Sequence, residues 1–326
     1  QTTFEARVSS SGDGRFQWVA GAFFSDTERD YMQRLPTPGY AAVTDAVLGE
    51  GTSADVANGF PNLDSPFNSD LPYDIEQLAL FGEATFSVSD ALNITVGGRW
   101  YDFDEERTIS TGGLFAAGDR NVVDTTSSEG FTPRVLASYV LNEEVTLNAQ
   151  VSQGFRLGGV NDPLNTALCN EEDFEIFGGF QDYDDETMWN YEAGFKSTFA
   201  NGVTVNAAMF YSDIEDLQAT LDAGSCSSRI SFNVPEAHAA GVEFEVGGNP
   251  IESLYLSVAG SILEAEFDST VSDGDGNVIG GLAEGNRLAS VPEYQVAASG
   301  VYEFPVNMFG ATDGFVTATV HHVGDR

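Results

Sequence analysis

The run Leu78-Ala79-Leu80-Phe81-Gly82-Glu83-Ala84-Thr85-Phe86-Ser87-Val88-Ser89-Asp90-Ala91-Leu92-Asn93-Ile94-Thr95-Val96-Gly97-Gly98-Arg99-Trp100 reads as two strands joined by a tight turn. In the first arm Leu78, Leu80, Ala84, Phe86 and Val88 fall on one face, with Gln77, Ala79, Glu83, Thr85 and Ser87 on the other. That is the period of two a pleated strand imposes. Ser89 and Asp90 supply the turn. In the second arm Leu92, Ile94, Val96 and Trp100 alternate with Asn93, Thr95 and Arg99. Each arm is apolar on one side only. The same rhythm recurs in Val145, Leu147, Ala149 and Val151 against Thr146, Asn148, Gln150 and Ser152, and in Val203, Val205, Ala207 and Met209 against Thr204, Asn206 and Ser212.

Carried along the chain, this pattern predicts twelve strands, at 1–10, 14–30, 75–88, 91–106, 131–141, 144–157, 187–199, 202–219, 229–247, 251–267, 286–304 and 314–323. The links between them alternate: short at Ser11 to Asp13, long from Tyr31 to Asp74, short at Ser89 and Asp90, and so on to Asn142-Glu143, Asn201 and Gly248 to Pro250. Tight turns on one rim and long loops on the other are the pattern of a transmembrane barrel. A soluble sandwich also alternates, so the period alone does not decide. Aromatic placement tips the balance: Trp100, Tyr101, Tyr139, Phe155, Trp189, Tyr191, Phe199, Phe210, Tyr211, Tyr302 and Phe304 gather near the ends of the apolar runs, as interfacial girdles do, ordinary core rings of a large β protein being the alternative. Several segments also outrun the five or six residues usual for globular strands. No stretch of eighteen apolar residues offers a transmembrane helix, which suits a chain that crosses by alternation. The expected fold is all-β, an antiparallel up-and-down transmembrane β-barrel, with residues 1–326 forming one barrel domain and no linker.

Fifty-one acidic residues stand against 13 basic ones, a net charge of −38, and Lys196 is the sole lysine. Such a field repels polyanions and excludes nucleic acid as a partner. The acids crowd the expected long loops, as in Asp45, Glu50, Asp55, Asp64 and Asp70, in Glu171, Glu172, Asp173 and Glu175, and in Asp182, Asp184, Asp185 and Glu186. Mutual repulsion of solvated loops accounts for them; capture of a cation or a cationic ligand is the second reading. Cys169 and Cys226 both lie in long loops that flank one pair of strands, so the two meet on the same rim. A disulfide there is geometrically reasonable and suits an oxidising exterior; the alternative is two unrelated thiols. The opening Gln-Thr-Thr-Phe-Glu carries no signal peptide, as expected if a leader was removed or the sequence starts within a longer protein.

Gln153-Gly154-Phe155-Arg156-Leu157-Gly158-Gly159, preceded by Phe131-Thr132-Pro133-Arg134, resembles a strand pair of the TonB-dependent outer-membrane receptors. So do Glu186-Thr187-Met188-Trp189-Asn190-Tyr191-Glu192-Ala193-Gly194-Phe195-Lys196, Met209-Phe210-Tyr211-Ser212-Asp213-Ile214, Gly241-Val242-Glu243-Phe244-Glu245 and Val291-Pro292-Glu293-Tyr294. Each is weak singly; their order is the signal. The resemblance implies a barrel of about 22 strands closed around an N-terminal plug domain. It also implies a Gram-negative outer-membrane location, outer-membrane lipid, lipopolysaccharide and TonB as partners, and import of a scarce small-molecule ligand such as a ferric siderophore. The sequence departs from the family pattern in showing no plug before Gln1 and no terminal aromatic after Val323-Gly324-Asp325-Arg326. It therefore reads as a middle piece of the barrel, with both ends on the extracellular rim.

Chemical motifs are sparse. Gly-x-Ser-x-Gly, His-Glu-x-x-His and Walker-type loops are absent from the sequence, and an enzyme is not expected. His321 and His322 are neighbours on a strand and so face opposite sides; His238 is the third histidine. No cofactor is required, but Asp273, Asp275, Asn277 and Glu284 stand at positions one, three, five and twelve of a calcium loop, with Val278 where glycine is expected. A flexible hairpin tip is the plainer reading. Ligand contact is expected from the loop mouths, with Arg156, Phe174, Phe177, Phe180, Tyr183 and Trp189 as candidates and packing of loop on loop as the alternative. Inward Arg99, Arg134, Arg156 and Lys196 could pair with Glu83, Glu192 and Glu243 or hold plug carboxylates. Other functions consistent with the sequence are a passive porin, a surface ligand-binding barrel, uptake of an oligosaccharide or cobalamin-like compound, and a soluble β-rich adhesin.

Overall fold

In a computed structural model describing residues 1–326 except Ala167, residues 307–311 and Arg326, twelve antiparallel strands form one sheet. They are β1 (Thr2–Ser9), β2 (Phe16–Arg34), β3 (Asn68–Ser87), β4 (Leu92–Gly112), β5 (Val122–Val140), β6 (Val145–Arg156), β9 (Glu186–Thr198), β10 (Thr204–Asp222), β11 (Arg229–Ile251), β12 (Leu254–Phe267), β13 (Tyr294–Val306) and β14 (Thr312–Val323). Each pairs with its sequence neighbour, β6 pairing with β9, and β1 and β14 stand at the two edges. A small ribbon, β7 (Gly159–Val160) and β8 (Asp182–Tyr183), lies within the loop between β6 and β9. Among the described residues three short α-helices occur in loops, α1 (Tyr40–Leu48), α2 (Thr52–Val56) and α3 (Glu171–Phe177), with a 3-10 turn at Gly224–Cys226. No helix among the described residues is long and apolar enough to cross a membrane.

The short links close as their residues dictate. In the β5–β6 turn the Asn142 side chain accepts from the backbone N–H of Glu144 and Val145, both at 2.9 Å, the local bond that makes asparagine a turn residue. Below the loops the sheet is a single layer whose two faces differ. Outward side chains are apolar and bare: Val96 is 53% exposed, Phe131 60% and Met209 63%. Inward ones are polar and bonded across strands. Thr85 meets Thr95 at 2.8 Å, Ser257 meets Ser299 at 2.9 Å, and Arg134 joins Glu83 at 2.7 Å and Gln150 at 2.9 Å. That is the expected wet lumen and lipid-facing exterior, in the register that period two required.

Towards the loops the outer face changes from apolar to acidic. Asp26, Glu76 and Asp104 are direct neighbours across β2, β3 and β4, and Glu28, Asp74 and Glu106 form the next row. On adjacent strands such like charges stand only about 5 Å apart at Cβ and repel.

The strands run further into the loops than the sequence suggested. β3 starts at Asn68 rather than 75, β4 continues to Gly112 rather than 106, and β5 starts at Val122 rather than 131. Polar and acidic residues hid these extensions because they face water on one side and loops on the other. Residues 286–293 go the other way, remaining outside β13. One isolated bridge, Glu266 to Arg287, is all the ladder they make, since Ser290 has φ 66° and Pro292 follows.

One irregularity aims the loop-end side chains. Asp216 on β10 adopts φ 55°, and Pro235 lies between the paired residues of β11 at the same level. Before it Ser212 and Ile214 of β10 are buried; beyond it Leu217, Ala219 and Leu221 turn inward instead. On β11 the buried set changes from Ala237 to Val234, Phe232 and Ile230. Both strands thus exchange parity together. The Asn233 amide holds the site, donating to the carbonyls of Asp216 at 2.8 Å and Asp184 at 2.9 Å while accepting from Asp184 N at 2.7 Å.

Candidate functional site at the loop-bearing rim

The turned-over ends of β10 and β11 seed a core among the loops. Ile230, Phe232, Val234, Leu164, Phe177, Phe267, Ile279 and Leu282 pack there, joining strand ends to the 157–185 and 268–293 loops. Cys169 and Cys226 form a disulfide within this cluster. It joins the 157–185 loop to the β10–β11 tip, a link the sequence predicted. Polar bonds repeat the same join: the Asn161 amide donates to Ser231 O at 2.6 Å and accepts from Ser231 N at 2.8 Å, and Asp173 accepts from Ser225 N at 2.7 Å. Hydrogen bonding by Ser225 holds the Asp173 carboxyl below its ordinary pKa.

The opposite side of that loop is fastened to the inner face of β4. Arg107, 1% exposed, donates to Val160 O at 2.7 Å and pairs with Asp162, while its guanidinium lies 4.7 Å from the centre of the Tyr73 ring. Its Nε–H has no hydrogen-bond partner among the described residues. Asp185 makes a second fastening: it accepts from Ser128 on β5, from Tyr101 Oη at 3.1 Å and from Gly158 N at 2.7 Å. Tyr101 in turn stacks on Phe155 at 3.7 Å. These bonds stand where β5 and β6 part, since their ladder ends at the Arg134–Ser152 pair.

Between the inner face of β2 to β4, the fastened loop and the β10–β11 tip lies a cavity of about 750 Å³. Tyr31, Phe67 and Phe115 give it ring faces, and Gln33, Asn165 and Ser227 neutral polar groups. Asp162, Asp222 and Arg229 are its charged lining. A space of this size suits a small organic ligand.

The candidates named from sequence do not converge on this cavity. Arg156 pairs with Glu186 and donates to Gln218 O at 2.8 Å. Phe177 is buried in the loop core, and Phe180 packs against it, 5.0 Å from Phe232. Phe174, half exposed on α3, lines a separate cavity of about 330 Å³ with Asp162 and Ile230. Tyr183 sits in β8, where burial first, then the Glu105 charge, push its phenol pKa up while Arg107 pulls it down. Trp189 shares the outward parity of Tyr191 and faces away from the lumen. Of the inward cations Arg134 pairs with Glu83 as expected, Arg99 lies 5.5 Å over Phe23, and Lys196 lines a wall niche with Arg134, Glu192 and Glu243. His322 meets Tyr294 Oη at 3.1 Å, and His238 meets Asp268 at 2.8 Å.

In the calcium-like loop the Asp273 carboxylate is engaged by its own turn, accepting from Asp275 N at 3.0 Å and from Asn277 N at 2.8 Å and Nδ2 at 2.9 Å. These bonds draw its pKa down, Asn277 contributing most. The backbone bridge Ser272 to Val278 makes the segment a hairpin tip. Among the described residues no three His, Cys, Asp or Glu side chains are grouped to hold a metal ion, so Asp273, Asp275 and Glu284 do not converge.

A meander with a bare apolar exterior, a polar interior and loops gathered at one rim is an outer-membrane β-barrel wall. The chain belongs to the TonB-dependent receptor family: the model described as TonB dependent receptor-like, beta-barrel, matches residues 2–326 and places the wall in the outer membrane of a Gram-negative cell. Among solved structures, the ferric yersiniabactin uptake receptor FyuA from Yersinia pestis is similar at 20% identity and TM-score 0.71, over 97% of this chain and 42% of that one. The siderophore receptor PiuA from Acinetobacter baumannii is similar at 13% identity and TM-score 0.61, over 97% and 48%. The alcaligin outer-membrane receptor FauA from Bordetella pertussis matches at 15% identity and TM-score 0.54, over 98% and 47%. The chain spans less than half the length of each, and at these identities the likeness is one of fold.

Proposed function

We propose that this chain forms part of the barrel of a TonB-dependent importer, and that the protein carries a ferric siderophore or a similar metal chelate across the outer membrane. The observation that carries this reading is the 750 Å³ cavity on the inner face of the loop-bearing rim of a family barrel. A receptor's first contact with a ligand arriving from outside falls there. FyuA, a ferric yersiniabactin uptake receptor, and PiuA, a siderophore receptor, support the ligand class. In this reading the partners are a plug domain within the lumen, TonB, and the lipid and lipopolysaccharide around the wall. The protein acts as a transporter rather than an enzyme and needs no cofactor of its own.

The test is uptake of iron chelates by cells with and without this receptor, in the presence and absence of TonB. Uptake that needs both supports the importer. Uptake that persists without TonB would instead mark a passive pore. Tyr31→Ala and Phe115→Ala should each weaken chelate binding about tenfold, the loss of one ring contact.

A further inference from the structure

Arg29 of β2, Tyr73 of β3 and Arg107 of β4 are direct cross-strand neighbours on the inner face. The two guanidiniums flank one ring, Arg29 at 5.9 Å and Arg107 at 4.7 Å from the centre of Tyr73. They are used differently. Arg107 is buried, paired with Asp162 and bonded to Val160 O, and so fastens the loop. Arg29 is exposed, and among the described residues it pairs with no carboxylate; its neighbours Glu28 and Asp30 stand on the outer face. Elsewhere at the rim Arg34, Arg156 and Arg287 pair with Asp70, Glu186 and Glu293, and Arg120 donates to Asn58 O. Tyr31 lines the 750 Å³ cavity, and Arg29 lies two residues nearer the lipid-level wall on the same face of β2. We infer that Arg29 receives an anionic group of the ligand, a carboxylate or a catecholate, at the lumen-side edge of this cavity and selects for chelates that carry negative charge; the inference rests on the importer reading above.

An anionic oxygen is held best by a guanidinium whose N–H groups are free to donate to it in a fork. Tyr31, 6.0 Å away, and Tyr73 restrain Arg29 through their rings and use none of those donors. A restrained fork loses less freedom when a ligand arrives. The body of the chelate then falls against Tyr31 and the cavity beyond it. Arg229, also in the cavity lining, pairs with Asp222, but these side chains are 79% and 83% exposed, so water screens the pair and an anion can reach this second cation too. The test therefore compares the two arginines.

Binding to the intact receptor in detergent tests this with three probes: ferric citrate and a triply negative ferric tris-catecholate as anionic chelates, and a neutral ferric trihydroxamate. At least one anionic chelate should bind tighter than the trihydroxamate. Arg29→Gln should weaken that chelate about tenfold, the loss of one charge-assisted contact, and leave the trihydroxamate within about twofold. Arg29→Lys, which keeps the charge without the fork, should recover about threefold of the loss, and salt should shrink the difference between variants. Preference of the unaltered receptor for the trihydroxamate, equal weakening of charged and neutral chelates in Arg29→Gln, no weakening at all, or a loss that appears in Arg229→Gln instead overturns the inference and leaves the importer reading standing. If a correctly folded receptor binds none of the three, the importer reading falls and the inference with it.

Discussion

The wall and the loop-bearing rim are built from the same strands but solve burial in opposite ways. At lipid level the wall is one layer thick, Val96 and Met209 stand bare on its outside, and the ladder bonds the backbone of each inner strand to a neighbour on either side. Such a layer needs no core of its own, because hydrocarbon covers its apolar face. Above the lipid that cover ends. There β10 and β11 turn over at Asp216 and Pro235, and Ile230, Phe232 and Val234 are enclosed by loops cross-linked through Cys169 and Cys226. The rim therefore behaves as a small soluble domain seated on a membrane wall. The contrast teaches that one side-chain type carries opposite consequences at the two levels.

Substitutions should separate the two levels. Phe232→Ala removes a ring from a closed core and should cost the rim about 4 kcal/mol, whereas Val96→Ala trims a side chain that faces lipid and should cost less than about 1 kcal/mol. Limited proteolysis of the loops, beside denaturant unfolding of the whole barrel, reads each level; equal effects at both would break the contrast. Cys169→Ser should loosen the rim by about 3 kcal/mol, since the bond closes a loop between residues 57 apart. Hydrogen exchange in 157–185 and 223–228 should rise while the wall stays protected. Val96→Arg reverses the order of damage: a charge on the lipid-facing side of β4, four residues from Trp100, should cost the wall about 2 kcal/mol and leave the rim untouched.

The same division marks what the sequence disclosed. Period two made Leu78 to Trp100 legible as a hairpin because lipid on one side and water on the other write opposite chemistry on alternate residues. The Cys169–Cys226 pairing followed from the order of long and short links. The rim was harder. Phe177 and Phe180 are the residue types either a ligand or a core would select, and only the parity exchange at Asp216 shows that they were recruited to a core. Tyr31 lies one residue beyond the expected end of its strand. Continuing the alternation past Asp30 would have placed it and Gln33 on the inner face, where the cavity is. α3 was hidden for another reason. Glu171-Glu172-Asp173 reads as a solvated charge run, yet Asn170 caps it by accepting from Asp173 N at 2.7 Å.

Smaller effects sharpen the boundary between the levels. Glu76 has Asp26 on one side and Asp104 on the other, so Glu76→Gln should raise thermal stability by about 0.5 kcal/mol, with the gain fading in high salt. Destabilisation at low salt would show that these carboxylates are held by something other than repulsion.

The slightest effect belongs to Asp173, an exposed group at the join between α3 and the β10–β11 tip. Gly224 permits the approach: with φ 51° it has no side chain where a Cβ would stand 2.6 Å from the Asp173 carboxylate. Because Ser225 holds the folded pKa below the ordinary carboxylate value, the unfolded chain binds the proton more readily. The contact is therefore fully stabilising above the ordinary value and is lost as pH falls through the lower, folded one. Exposure and screening keep the effect small. Exchange of the Ser225 amide should accelerate on acidification through that window, and Asp173→Asn, which keeps an acceptor but cannot titrate, should abolish the acceleration. An Asn variant with the same acid response would move the sensitive group elsewhere on the rim and detach the tip's acid behaviour from α3.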